Sequence, residues 1–223
     1  GELSLTEAIS VSCDVFFYKT IKDIKLNTLH DSFKQFGFGL KTKIDIPNEV
    51  SGLVPDKNYM LKRYGKYGWS QGVLLNLAIG QGELLVTPIQ VLNYVNLLAT
   101  KGTSPSCHFV FVDNLPDNVK PVLKNEIWDN IHEGLRAAIV SKNGTGKKAN
   151  LNLEGFKLYG KTGTAENSHG DDHAWFVGWA DYRNKKHSIV ILLENAGSGG
   201  AVAAPIANKV FSKLINKDEL ASK

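Results

Sequence analysis

The chain has 223 residues, 43% of them hydrophobic and 22% charged, which is the composition of an ordinary folded protein with one large or two small domains. Its formal net charge is +4, but the lysines are scattered among acidic residues, so nucleic-acid binding is not indicated. Cys13 and Cys107 lie far apart and form no CxxC or Cys/His pattern, so neither a zinc site nor a disulfide framework is supported.

The first third of the chain contains weak helix signals. Ser4 followed by Glu7 has the spacing of a capping box, and the apolar positions after it predict helical segments that break at residues 12–14, "SCD". Thr28 is predicted to cap a short helix. From residue 36 to about residue 70 the chain is rich in Gly, Pro and turn residues, which predicts an irregular surface segment.

Two stronger helix patterns follow. Thr87 and Pro88 fit an N-cap and a first helical position, and Gly102 fits the end of that helix. Residues 124–141 carry apolar side chains at the spacing of one helical face, which predicts a second, longer helix.

The last third changes to the period of strands. Three short runs rich in aromatic and β-branched residues predict an antiparallel meander: "FKLYGKTGTAE", "HAWFVGWADY" and "HSIVILLEN". Residues 201–215 return to helical spacing and predict a terminal helix on that sheet. The order indicates an α+β fold, with a mainly helical part over 1–150 and strands with a terminal helix over 151–223.

The segment "YGKTGTAE" is the strongest candidate for a binding site. It places Lys161 and Thr162 in a predicted strand between glycines, and a glycine such as Gly163 lets the backbone of a ligand run alongside as an extra strand. Lysine and threonine together can bind a carboxylate by charge and by hydroxyl. The backbone N–H of Thr164 can face a developing oxyanion.

Two other patterns are better explained as turns. The segment "NGTGKK" at 143–148 is similar to a phosphate-binding loop, but the first glycine of GxxxxGK is absent and no strand precedes it. His169 and His173 share an acidic loop that favours a solvated turn over a metal site. No metal or organic cofactor is expected.

Five sequence blocks together resemble a known family. "SCD", "IGQGELLVTPIQ", "GLRAAIVSKNGTG", "KTGTAE" and "HAWFVGWA" resemble the transpeptidase domain of class B penicillin-binding proteins in order and approximate separation, over nearly the whole chain. SxxK, SDN and KTG are recognised motifs of penicillin-binding proteins and class A β-lactamases. The second motif of the class B family has the form Ser-x-Asn or Ser-x-Asp, and Ser12 with Asp14 resembles the latter, which is the form of elongation-type members.

The resemblance implies a penicillin-binding/β-lactamase-like transpeptidase fold and a role for each matched residue. Ser12 would carry a proton between a catalytic lysine and the leaving amine, while Asp14 would orient that lysine and touch the substrate backbone. Lys161 would add positive potential. Thr162 and Thr164 would hold the terminal carboxylate, and the N–H of Thr164 would form half of the oxyanion hole.

The implied activity is that of a peptidoglycan D,D-transpeptidase, in which a serine forms an acyl-enzyme that an amine resolves into a cross-link. A D,D-carboxypeptidase or a β-lactamase shares these motifs, and a non-catalytic scaffold of the same fold is a further alternative. No serine of this chain is followed by lysine in Ser-x-x-Lys. We therefore expect residues 1–223 to be the C-terminal part of the domain, inactive alone, with "HSIVILLEN" forming an exposed apolar edge.

The resemblance also implies partners and a location. Expected ligands are the D-Ala-D-Ala ends of stem peptides and β-lactams. Expected protein partners are a glycan polymerase, elongation scaffold proteins and the N-terminal part of the same protein. The implied location is the periplasmic face of the bacterial inner membrane, with a membrane anchor upstream.

Overall fold

The computed structural model describes residues 2–65, 67–110 and 118–221. In chain order, the elements are α1 (Leu5–Val11), α2 (Asp14–Ile21), α3 (Leu26–Gln35), α4 (Lys57–Tyr64), α5 (Gln71–Ala78), α6 (Pro88–Ala99), α7 (Asn125–Val140), a 3₁₀ turn (Lys147–Ala149), β1 (Lys157–Ala165), β2 (His173–Tyr182), β3 (Lys185–Leu193) and α8 (Ala203–Ala221). The predicted α+β fold is confirmed.

The chain forms two compact units. One consists of Gly1–Ser12 and Lys124–Lys223, and the other of Cys13–Leu123. The first unit therefore contains α1, α7, the sheet and α8, while the second contains α2 to α6. The division at residue 150 that the sequence suggests stays a prediction.

The sheet of the first unit is the predicted antiparallel meander, with strand order β1-β2-β3. Burial alternates along the first half of β2, where Ala174 and Phe176 are fully buried and the residues between are half-buried, as expected for side chains of period two. Within the described residues, β3 pairs with β2 alone, and its apolar side chains are half-buried instead of exposed. The predicted exposed apolar edge is therefore wrong for the apolar side chains, although β3 does lie at the edge of the three described strands.

The predicted terminal helix, α8, packs on the same buried face. Three alanines at its start, Ala203, Ala204 and Ala207, are completely buried and let the helix axis come close to the sheet. Further along, Phe211 is 2% exposed and meets the ring of Phe156 edge to face, with 5.7 Å between ring centroids. These contacts form the main apolar core of the first unit.

Helix α1 packs against α7 in the first unit. The predicted capping box is present, because Ser4 accepts a hydrogen bond from the N–H of Glu7 while the Glu7 carboxylate accepts one from the N–H of Ser4. On α7, a Cβ at Gly134 would lie 2.9 Å from Ile9 of α1. The glycine therefore permits a closer approach of the two helices than any other residue would.

In the second unit, α6 follows its prediction and two other predictions fail. Thr87 caps α6 through a capping box with Gln90. Thr28, however, lies inside α3, whose N-cap is Lys25. The predicted irregular segment contains α4, which begins when Asp56 accepts the N–H of Tyr59 at 2.7 Å. Sequence periodicity missed α4 because Met60 is its only buried residue.

A glutamate ties α4 to the segment before α6. The hydroxyls of Tyr64 and Tyr59 donate to the two carboxylate oxygens of Glu83 at 2.7 and 2.8 Å. These two hydrogen bonds hold the pKa of Glu83 below its usual value and raise the pKa of both tyrosines. Arg63 lies beside the same carboxylate, with Nε 3.5 Å from Oε1.

The core contact of α8 gives a first prediction. Phe211→Ala leaves a cavity against the sheet, so we expect the free energy of unfolding to fall by about 3–5 kcal/mol. Val210→Ala, at the neighbouring position that is 44% exposed, is the matched control and should change it by less than about 0.5 kcal/mol. Denaturant unfolding followed by tryptophan fluorescence measures both. Equal losses for the two variants would contradict the assigned packing of α8.

The Glu83 contacts predict a dependence of stability on pH. Because folding lowers the pKa of Glu83, its contribution is present above the unfolded pKa of about 4.5 and is lost as pH falls through the folded value. We expect Glu83→Gln to reduce the free energy of unfolding at neutral pH and to flatten its decline below about pH 4.5. Glu154→Gln, at an exposed glutamate, should leave that decline unchanged. Parallel pH curves for wild type and Glu83→Gln would refute this account.

Candidate active site

The motif residues on β1 lie at an edge of the sheet. Within the described residues β1 has a strand neighbour on one side only, which is β2. Lys161, Thr162 and Gly163 are half-buried, and Thr164 is exposed. The Lys161 ammonium donates to the backbone carbonyl oxygen of Thr162 at 2.9 Å, which holds the charge close to the strand. The strand therefore presents a cation and two hydroxyls within four consecutive residues.

A glycine loop lies directly on this strand. A Cβ at Gly199 would come within 2.2 Å of the carbonyl oxygen of Gly163 and 2.3 Å of that of Trp175, so no other residue fits without a backbone shift. The N–H of Gly199 also donates to the Thr164 hydroxyl at 3.3 Å. The loop thus fixes the side chain of Thr164 from the backbone.

A second loop holds the other threonine. The hydroxyl of Thr162 donates to the hydroxyl of Thr145 at 2.9 Å, and the N–H of Thr145 donates to the carbonyl oxygen of Ser10 in α1 at 3.4 Å. The hydroxyls of Ser10 and Ser141 are 2.9 Å apart. A chain of hydrogen bonds therefore runs from the last turn of α1, through the loop after α7, to β1.

Ser12 ends α1 in an uncommon backbone conformation. It is the C-cap with φ 57° and ψ 55°, in the left-handed region that residues other than glycine rarely adopt. Its N–H donates to the carbonyl oxygens of Ala8 and Ile9, and the residue is exposed. The break at "SCD" that the sequence predicts is therefore present, and it places the motif serine at the tip of a capped helix.

Asp14 belongs to the second unit. It is the first residue of α2 and is exposed, where its negative charge interacts favourably with the N-terminus of the helix. Four of the predicted residues, 161–164, therefore lie side by side on β1. Hydrogen bonds through Thr145 connect that strand to α1, the helix whose C-cap is Ser12. Asp14 is placed by its own helix.

Three residues that hold the site in place were not predicted from the sequence: Ser10, Thr145 and Gly199. The available signal was glycine placement, because Gly144 and Gly146 flank Thr145. A Cβ at Gly144 would lie 2.4 Å from the carbonyl oxygen of Ala138. A turn that does not pack closely on other backbone atoms has no need of two glycines. The two glycines of "NGTG" therefore indicate that this turn packs closely on a neighbouring element.

Other chemistries find little support in the described residues. Across 2–65, 67–110 and 118–221, no group of three or more His, Cys, Asp or Glu residues is arranged to hold a metal ion. Burial raises the pKa of the Cys107 thiol to about 11, so this cysteine stays protonated at neutral pH and is a poor nucleophile. The β1 strand and its two loops remain the best candidate site.

Comparisons with known proteins identify the family of this chain. The family model of the penicillin-binding protein transpeptidase domain matches residues 1–212. The chain is 33% identical over 244 residues to the peptidoglycan D,D-transpeptidase MrdA of Haemophilus influenzae, covering 97% of this chain and 37% of that protein.

Two solved structures share the fold. The penicillin-binding protein PBP2 of Helicobacter pylori, solved in complex with MreC, is 34% identical with a TM-score of 0.81, covering 95% of this chain and 40% of that one. PBP2 of Pseudomonas aeruginosa, in complex with WCK 5153, is 33% identical with a TM-score of 0.81, covering 94% and 46%. This chain spans less than half the length of each of these relatives. It belongs to the penicillin-binding protein transpeptidase domain family, and within that family to the class B, elongation-type group.

Proposed function

We propose that this chain supplies the substrate-holding part of a peptidoglycan D,D-transpeptidase that cross-links stem peptides and is a target of β-lactams. The observation that carries the proposal is the arrangement on β1, where one cation and two loop-held hydroxyls line an edge strand. The name of the Haemophilus relative, a peptidoglycan D,D-transpeptidase, supports the same activity.

The edge of β1 suits a peptide that ends in a carboxylate. An extended peptide can pair with an edge strand through backbone hydrogen bonds, and Gly163 allows its backbone to come close. In this proposal Lys161 attracts the terminal D-Ala carboxylate, while the hydroxyls of Thr162 and Thr164 donate hydrogen bonds to it. The N–H of Thr164 stabilises the oxyanion that forms at the scissile carbonyl.

The proposed reaction has two steps. A serine oxygen attacks the penultimate D-Ala carbonyl, the peptide bond to the last D-Ala breaks, and that D-Ala leaves as an amine. An amine of a neighbouring stem peptide then attacks the ester and forms the new peptide bond, and the proton that the amine loses passes to the serine oxygen as the ester bond breaks. In the first step the serine proton passes to a lysine base and then, through the Ser12 hydroxyl, to the leaving amine. Asp14 orients that lysine.

We propose that the nucleophilic serine and its lysine lie outside these 223 residues. No Ser-x-x-Lys sequence occurs in the chain. The chain also covers only 37% of the Haemophilus relative and 40% of the Helicobacter structure, so most of the sequence of each relative has no counterpart in these 223 residues. The chain alone would then bind a D-Ala terminus without cleaving it.

Partners and location follow as proposals from the same relatives. The Helicobacter penicillin-binding protein was solved with MreC, which supports an elongation scaffold protein as a partner. A glycan polymerase is the second proposed partner, because cross-linking acts on newly made glycan strands. The proposed site of action is the periplasmic face of the inner membrane. No helix in the described residues is long and apolar enough to span a bilayer.

Labelling with a fluorescent penicillin tests the activity and the place of the nucleophile. We expect the full-length protein to form a stable acyl adduct, and peptide mass spectrometry to locate it on a serine of a Ser-x-x-Lys sequence beyond residues 1–223. An adduct on Ser12 would overturn the role assigned to that residue. A full-length protein that folds but takes no label would favour the non-catalytic scaffold.

Lys161→Ala tests the carboxylate site. A hydrogen bond to a charged group contributes about 1.5–3 kcal/mol, so we expect the second-order rate constant for penicillin acylation to fall roughly 10- to 150-fold. Lys157→Ala, which removes an exposed lysine from the same strand, is the matched control and should change it less than about twofold. Similar losses for both variants would mean that general charge, and not a specific contact, drives binding.

A further inference from the structure

We propose that Thr145 is a positioning residue for Thr162, and that its hydroxyl lets Thr162 turn its own O–H toward a substrate carboxylate. The inference deepens the proposed function and rests on it. It starts from a single contact, the 2.9 Å hydrogen bond from the Thr162 hydroxyl to the Thr145 hydroxyl.

The backbone of Thr145 is fixed on several sides. Its N–H donates to the carbonyl oxygen of Ser10, and the N–H of Gly146 donates to the carbonyl oxygen of Ala138 at 2.9 Å. Gly144 packs so closely on the end of α7 that a Cβ would lie 2.4 Å from that same carbonyl oxygen. With both neighbours held on α7, the Thr145 side chain has a defined place beside β1.

The backbone of Gly200 also lies close to both threonines. A Cβ at Gly200 would lie 3.1 Å from the carbonyl oxygen of Thr145 and 3.9 Å from the Cγ2 methyl of Thr162. The two threonines therefore meet in a packed environment. Small movements of Thr145 would be transmitted to Thr162.

The direction of the hydrogen bond gives the pair its function. A hydroxyl has one hydrogen to donate and two lone pairs that accept, and it rotates to suit its neighbours. In the structure, Thr162 gives its hydrogen to Thr145. A carboxylate only accepts, so Thr162 can bind one only by turning that hydrogen away from Thr145.

Thr145 makes this turn possible without loss of the contact. The structure places Thr162 as the donor. In this proposal a small rotation of the Thr145 side chain then points its own hydroxyl hydrogen toward the oxygen of Thr162, so the pair keeps one hydrogen bond with donor and acceptor exchanged. A hydroxyl that accepts a hydrogen bond is polarised and becomes a better donor. Thr145 thus holds the rotamer of Thr162 and strengthens the hydrogen bond from Thr162 to the carboxylate.

The test uses the full-length protein and two acylating thioester substrates, one with a terminal carboxylate and one with a carboxamide in its place. We expect Thr145→Val to lower kcat/KM for the carboxylate substrate roughly 5- to 10-fold and to leave the carboxamide substrate within about twofold, so that selectivity for carboxylate falls. Thr145→Ser keeps the hydroxyl and should retain the wild-type selectivity. In a Thr162→Val background, Thr145→Val should have no further effect on selectivity.

Several outcomes would overturn the inference. Equal losses on both substrates would assign Thr145 a purely structural role, and unchanged selectivity in Thr145→Val would remove its link to Thr162. If Thr145→Val does not fold, Thr145→Ala provides the same comparison. If the wild-type protein reacts with neither substrate, the proposed function is refuted. Failure of the proposed function can thus be told apart from failure of the role assigned to Thr145.

Discussion

The structure of the candidate site depends on close backbone contact around β1. Gly199 lies against the carbonyl oxygens of Gly163 and Trp175, at a distance where a Cβ would overlap both. In the same way, a Cβ at Gly178 in β2 would lie 2.2 Å from the carbonyl oxygen of Tyr159 in β1. Because these approaches leave no room for side chains, the Gly199 loop is fixed by the backbone of the sheet, while the Thr145 loop is held by carbonyl oxygens of α1 and α7. Interiors packed this densely transmit small displacements instead of absorbing them.

This constraint explains how ordinary residues form a defined site. Threonine hydroxyls usually rotate freely, and surface lysines sample many rotamers. Here Thr164 accepts from the backbone of one loop, Thr162 bonds to the side chain of another, and Lys161 donates to its own strand. Each group is thereby restricted before any ligand arrives, which lowers the conformational entropy that binding would otherwise remove.

The sequence predicted the parts of the fold that have strong periodicity or strong caps. The three strands, α7 and α8 have long apolar patterns, and Thr87 with Pro88 indicates the start of α6 as an N-cap and a first helical position. Helix α4 was missed because it buries one residue. The contact from Thr145 to Thr162 was missed for a different reason, since it joins positions 17 residues apart whose local sequences read as a turn and a strand. Motif spacing identifies chemical groups, while the partners that orient them come from non-local packing.

The edge position of β1 has a consequence for self-association. A strand with a neighbour on one side offers backbone donors and acceptors to any extended chain, including another copy of itself, which is a common route to aggregation. Lys161 sits in the middle of that edge, so two copies aligned edge to edge would bring like charges together. A peptide that ends in a carboxylate meets the opposite situation. In the proposed function, the same ammonium group would therefore attract a peptide that ends in a carboxylate and repel a second copy of the strand.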